Sequence, residues 1–192
     1  MERTASKAGL WLAAALCLGA AADNPEIRRA AAFLDYVARG YPTAVAGGQV
    51  INAQEHEEQK AFAQEAAEIL ERTEAGKPFA PEAREVERQI RAKAAGADAL
   101  AASVHERLLK ATGLDTTPPP ELVVAVAPVF YQEACAACHG ADGRGDGFAA
   151  AELPTKPTDF TGPDRDDLTP YRVYSAILYG VPHTAMPAVM SR

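Results

Sequence analysis

Cysteine is scarce in this chain: three residues in 192, at Cys17, Cys135 and Cys138. A disulfide-stapled fold is therefore not expected, because Cys17 falls in a leader segment and the other two sit in one short motif. That motif, C-x-x-C, occurs only once, so a four-cysteine zinc site is excluded. His56, His105 and His183 could supply zinc ligands, but none stands in a paired arrangement. No βαβ pattern surrounds the motif, which argues against a thioredoxin-like redox site. Positive charge is also short. Lys and Arg number 19 against 26 Asp and Glu, a net charge of -7. An acidic chain is a poor nucleic-acid binder, since that affinity rests on Lys and Arg at phosphates. It suits a basic redox partner or a cation. Beyond the first residues no apolar run is long enough to cross a bilayer, so the mature chain is expected to have no membrane span.

The leader itself has the three parts of a secretory signal. Met1 to Lys7 is polar, Gly9 to Ala22 is apolar, and Ala20-Ala21-Ala22 offers a small-residue cleavage site. Residues 1–22 are thus expected to be removed on export, leaving a periplasmic protein. That placement agrees with the chemistry of the central motif.

Cys135-Ala136-Ala137-Cys138-His139 is a C-x-x-C-H box, the attachment sequence of c-type haem. In such a box both thiols add across the haem vinyl groups as thioethers, and the histidine is the proximal axial ligand. Further along, Thr184-Ala185-Met186-Pro187 places a methionine in a loop, where its sulfur can close the sixth position. His/Met ligation raises the reduction potential. His183 is a competing sixth ligand that would give a bis-histidine haem, and Met190 is a poorer candidate near the end of the chain. The expectation is one covalent haem c, one-electron transfer with a redox partner protein, and no substrate turnover. An open sixth position would instead favour peroxidase-like chemistry.

Gly113 to Pro120, with three consecutive prolines, reads as a stiff linker between residues 24–112 and 121–192. The first part is expected to be an all-α bundle of three helices. Ile27, Ala30, Ala31, Leu34 and Val37 stripe the first helix, which Tyr41-Pro42 should end. Gly47-Gly48 marks a turn, and Asn52 with Glu55 has the spacing of a capping box. Phe62, Ala66, Ile69 and Leu70 stripe the second helix, broken at Gly76-Lys77-Pro78. Val86, Ile90, Ala94, Ala97, Ala101, Val104 and Leu108 stripe a long third helix that contains Gly96, and His105 is expected to be exposed on it. In the second part, an apolar helix over Leu122 to Ala134 runs into the box. A glycine-rich loop from Gly140 to Gly147 follows, and Leu168 to Tyr179 reads as another helix, with Val173, Ile177 and Leu178 apolar.

Glu55, His56, Glu57 and Glu58 form an acidic run at a helix start, with Glu55 and Glu58 on one face. Iron or another cation could bind there, with Asp35 joining if the first two helices pack suitably. The same residues also suit a helix N-terminus for purely structural reasons. An iron-binding adaptor is therefore a second functional reading.

Two resemblances add to this. The order of the Cys135–His139 box, the glycine-rich loop, the Pro-rich turn with Asp159-Phe160, and Gly180 to Pro187 resembles class I cytochromes c. It implies thioether attachment at Cys135 and Cys138, with His139 and Met186 as axial ligands. It also implies a proline carbonyl that orients the proximal histidine, for which Pro154 is the candidate. Asp35-Tyr36-Val37, Tyr41-Pro42, Ala44-Val45, Gly48, Val50, Glu55 and Glu58 resemble the periplasmic region of bacterial high-affinity iron permeases (the iron/lead permease family). Some members of that family carry a cytochrome c domain before their membrane helices, which implies a membrane permease as partner and a role near iron uptake. The family's membrane helices with their Arg-Glu-Gly-Leu-Glu motifs are not found here, so this chain is not expected to transport iron itself. Arg192 follows Met186 closely, leaving no sequence for the C-terminal helix of a class I cytochrome. The expected fold class is therefore all-α: a helical bundle followed by a C-terminally incomplete class I cytochrome c fold.

Overall fold

A computed structural model describes residues 24–116, 127–162 and 168–189. The leader, Pro118 to Pro120 of the linker, the stretch from Leu122 to Val126 and Met190 lie outside the described residues. Among those described, the secondary structure is helical apart from one two-residue hairpin, as an all-α chain requires. The chain divides between Asp115 and Thr116 into two compact units.

The first unit begins with α1, Pro25–Ala44. Asn24 caps it, its side-chain oxygen accepting from the Glu26 N–H at 2.9 Å, and Pro25 needs no N–H at the first position. The whole predicted stripe, from Ile27 to Val37, is buried. The helix does not end at Tyr41-Pro42 but runs through Pro42 to Ala44. Burial of Tyr41 and Ala44 holds that last turn, and the Tyr41 hydroxyl donates to the Ala94 carbonyl at 3.0 Å. A tight hairpin follows, with β1 (Val45–Ala46) paired antiparallel to β2 (Gln49–Val50). Gly47 and Gly48, at φ 58° and 75°, make the two-residue turn that only such residues form cheaply.

Helix α2 spans Ala53–Arg72. Asn52 caps it by accepting from the Glu55 N–H at 3.1 Å. Phe62 packs between Phe33 (5.2 Å between ring centroids) and Tyr36 (4.5 Å, stacked). The expected long third helix is two helices, α3 (Ala80–Arg91) and α4 (Ala97–Thr112), so the bundle has four helices rather than three. Lys93 at φ 56° and Gly96 at φ 84° turn the chain between them. Val86 and Ile90 on one side of the turn, and Ala97, Ala101, Val104 and Leu108 on the other, are all buried. Apolar spacing continues in register across the turn, so periodicity alone hides it.

The second unit contains α5 (Ala127–Ala134), α6 (Ala136–His139), a 3-10 turn at Ala150–Glu152, and α7 (Pro170–Tyr179). Thr169 caps α7 through its hydroxyl, which accepts from the Arg172 N–H at 3.2 Å. The apolar stripe expected on α7 does not form a core: Arg172 and Ser175 are its buried residues, while Val173 is 37% exposed. Among the described residues of this unit, no hydrophobic side chain is buried.

Candidate cofactor site

The Cys135–His139 segment continues directly from α5. Cys135 N–H donates to the Tyr131 carbonyl at 2.8 Å, and His139 N–H to the Cys135 carbonyl at 2.9 Å. Cys135 and Cys138 are therefore one helical turn apart, on the same side. Both are half-buried free thiols. Burial, with the neighbouring Cys138 second, pushes the Cys135 thiol above its ordinary pKa.

The glycine-rich loop folds back over the end of this helix and uses its otherwise unpaired carbonyls. Gly145, Gly147 and Ala149 donate to the carbonyls of His139, Cys138 and Ala137, at 2.8, 3.1 and 2.9 Å. A Cβ on Gly147 would stand 2.3 Å from the Ala137 oxygen, so the backbone itself lies against α6. The Tyr131 hydroxyl donates to the Gly140 carbonyl at 2.7 Å, tying α5 to the same loop.

His139 is held in two ways. Its Nδ1 lies 3.3 Å from the Thr158 carbonyl oxygen, and its ring stacks on Phe160 with centroids 4.8 Å apart and planes 15° apart. A carbonyl only accepts, so in the neutral ring Nδ1 carries the proton and Nε2 keeps its lone pair, the form that binds a metal. The acceptor is Thr158, not the expected Pro154. The reason is local: Gly145 packs on Pro157, and Phe160 N–H donates to the Gly143 carbonyl at 2.6 Å, which lays residues 157–160 along the loop beneath the histidine. Sequence reasoning missed Thr158 because its backbone carbonyl, not its side chain, faces the ring. Only the Asp159-Phe160 motif beside it gave a signal.

Met186 sits in a closed loop at the end of α7. Val181 N–H donates to the Met186 carbonyl at 3.2 Å, and the Met186 N–H donates to the Thr184 hydroxyl at 3.1 Å. Gly180 lies so close that a Cβ there would meet the Met186 oxygen at 2.8 Å. Met186 is half-buried, whereas His183 is exposed at φ 60° in the same turn.

The acidic run in the first unit is used differently. His56 is buried, its Nε2 3.0 Å from the Ile90 carbonyl, where it joins α2 to α3. Glu55 accepts from Gln59 at 2.5 Å and Glu58 from Gln54 at 3.4 Å. Asp35 is 4% exposed and accepts from Arg39 at 2.9 Å. His105 is not on an open face as expected: its side chain is 13% exposed, with Nδ1 3.9 Å from the Asp35 carboxylate. Among the described residues, no group of three or more His, Cys, Asp or Glu side chains is placed to hold a metal ion, and none of the helices is long and apolar enough to cross a membrane.

Residues 125–192 match the family described as cytochrome c oxidase, cbb3-type, subunit III. No curated protein and no solved structure matches the chain. The family match covers the box, the glycine-rich loop and the Met186 loop, and it supports a cytochrome c domain over that stretch and, with it, haem binding.

Proposed function

We propose that this protein is an exported, periplasmic c-type cytochrome that carries single electrons through one covalent haem c. Cys135 and Cys138 would hold the haem as thioethers, with His139 through Nε2 and Met186 through its sulfur as the candidate iron ligands. The observation that carries this reading is the contrast between the two units. The first has a buried apolar core, whereas no hydrophobic side chain among the described residues of the second is buried. Val129, Phe130 and Val173 are exposed there, at 60%, 43% and 37%. A large apolar group attached at the two thiols supplies the core such a unit needs. The free Nε2 of His139 and the thioether of Met186 complete a donor set typical of a high-potential haem.

Haem supplies the reversible one-electron chemistry. This chain's residues would attach it and fix the histidine that sets its electronics. The protein is a carrier, not an enzyme. Its acidic surface favours a basic redox partner, and the permease-like segments of the first unit point to a membrane partner concerned with iron.

Co-expression with a cytochrome c maturation system tests this. Covalent haem with the weak Met-to-ferric-iron charge-transfer band establishes the His139/Met186 site. Covalent haem without that band means an open or His183-ligated site, and peroxide turnover then becomes the assay. Absence of covalent haem sinks the proposal.

A further inference from the structure

Among the described residues the Thr158 hydrogen bond is one of two contacts on the His139 ring, and by itself it restrains the ring weakly. At 3.3 Å it is a long bond made at one edge, and the imidazole can roll while keeping it. The second contact is on the face of the ring. Phe160 lies nearly parallel to it, 15° off, with 4.8 Å between centroids. Phe160 is itself fixed from behind. Its N–H donates to the Gly143 carbonyl at 2.6 Å, and its side chain lies against the Cα of Gly143, where a Cβ would be 3.2 Å from the Phe160 ring and 3.5 Å from the Tyr131 hydroxyl. Gly143 is buried, at φ 76°, a conformation in which other residues are strained. Asp159 stiffens the next turn by accepting from both the N–H and the hydroxyl of Thr161 at 2.7 Å.

On the haem reading above, we propose that Phe160, seated on Gly143, is a positioning residue that sets the plane of the axial His139 imidazole. Thr158 fixes the tautomer and the direction of Nε2, and Phe160 fixes the roll about that direction. The roll decides which haem pyrroles share the imidazole π-orbital, so it is visible in the ferric protein as the order of the hyperfine-shifted haem methyl resonances. A residue that merely fills space leaves that order alone.

The test uses the full chain matured with haem, as wild type, Phe160→Leu, Phe160→Tyr and Gly143→Ala. A pyridine haemochrome assay of the wild type comes first. No covalent haem there removes the haem reading and this inference with it. With haem present, Phe160→Leu and Gly143→Ala are expected to keep covalent haem and the Met charge-transfer band but to reorder or broaden the haem methyl resonances. Phe160→Tyr, which keeps a ring on His139, is expected to retain the wild-type order. An unchanged order in both Phe160→Leu and Gly143→Ala overturns the assignment while leaving the haem reading standing. Should Phe160→Leu not accumulate, Gly143→Ala decides alone, since it keeps Phe160 but lifts it from its seat. The inference fails equally if Phe160→Tyr changes the order as much as Phe160→Leu does.

Discussion

The carbonyl oxygen of Thr158 stands 3.3 Å from Nδ1 of His139, so in the neutral ring it is Nε2 that keeps the lone pair. Gly145 controls this contact, because a Cβ there, at φ 71°, would come within 2.4 Å of the Pro157 oxygen, one peptide before the acceptor. Gly145→Ala is therefore expected to push the Thr158 carbonyl off the ring. A weaker hydrogen bond makes the imidazole a poorer electron donor, destabilises the ferric state and raises the reduction potential. The left-handed backbone adds a stability cost of about 1–2 kcal/mol. Pro154→Ala leaves both quantities unchanged. Potentiometry and denaturant titration of the two holoproteins check this, and a shift with Pro154→Ala alone would restore Pro154 as the orienting residue.

The two units should answer differently to loss of the cysteines. Phe33, Leu34, Phe62, Ile69, Ile90 and Leu108 form a closed apolar core in the first unit, and no hydrophobic side chain among the described residues of the second is buried. A group bound only by the folded state stabilises that state. Cys135→Ser with Cys138→Ser should leave the helices of residues 25–112 intact and make the second unit highly sensitive to protease. Limited proteolysis of the full-length variant, with mass spectrometry of the cuts, shows whether cleavage clusters after residue 115. Cuts spread evenly along the chain would mean that the first unit depends on haem too.

Much of this was legible in the sequence, for identifiable reasons. The stripe from Ile27 to Val37, the Asn52 cap and the Gly47-Gly48 turn are local effects, and the structure has each of them. The break at Lys93–Gly96 was hidden because the apolar spacing keeps phase across it, and a non-glycine residue at positive φ leaves no mark in the sequence. The path of α1 through Pro42 depends on burial of Tyr41, a tertiary effect. In the site, the box names its side chains by spacing, but the Thr158 acceptor is a main-chain atom that any residue would provide. His105 faces Asp35 because it stands beside Val104 and one turn after Ala101, at the edge of the buried face of α4, where spacing alone does not separate a half-buried position from an open one.

Gly76 tests the packing of the first unit. It lies in the turn between α2 and α3, where a Cβ would be 2.7 Å from both the Cα and the carbonyl oxygen of Leu70 and 2.5 Å from the Thr73 hydroxyl. Leu70 is fully buried, so its backbone has nowhere to go. Gly76→Ala normally gains a little by restricting the unfolded chain, but here the overlap should win and cost about 1–3 kcal/mol. Urea unfolding followed by far-ultraviolet circular dichroism gives the figure, and a neutral or stabilising result would show that the turn shifts freely.

Met186 and His183 compete for one role and are separable. Met186 is half-buried in a loop closed on Val181 and Thr184, while His183 is exposed. Met186→Ala is expected to abolish the Met charge-transfer band, lower the potential and open the sixth position to added cyanide or imidazole. His183→Ala is expected to leave all three as they are. Loss of the band in His183→Ala with retention in Met186→Ala would reverse the assignment.

His105 gives the first unit a pH dependence whose sign is fixed. Burial is the largest influence and holds its pKa below the usual value. The Asp35 carboxylate and Glu106 oppose this, while the Arg39 guanidinium reinforces it. In the unfolded chain the imidazole takes up a proton below about pH 6.5. The folded unit accepts that proton only at lower pH, so unfolding binds protons in the window between the two values. The stabilisation is complete above about pH 6.5 and is lost as the pH falls below it. Wild type should therefore show a urea midpoint for the first unit that declines in mild acid. His105→Gln, which cannot titrate, should flatten that decline at the cost of some stability near neutrality. Far-ultraviolet circular dichroism of both proteins on either side of about pH 6.5 makes the comparison. An equal decline in His105→Gln would assign the acid sensitivity to other groups.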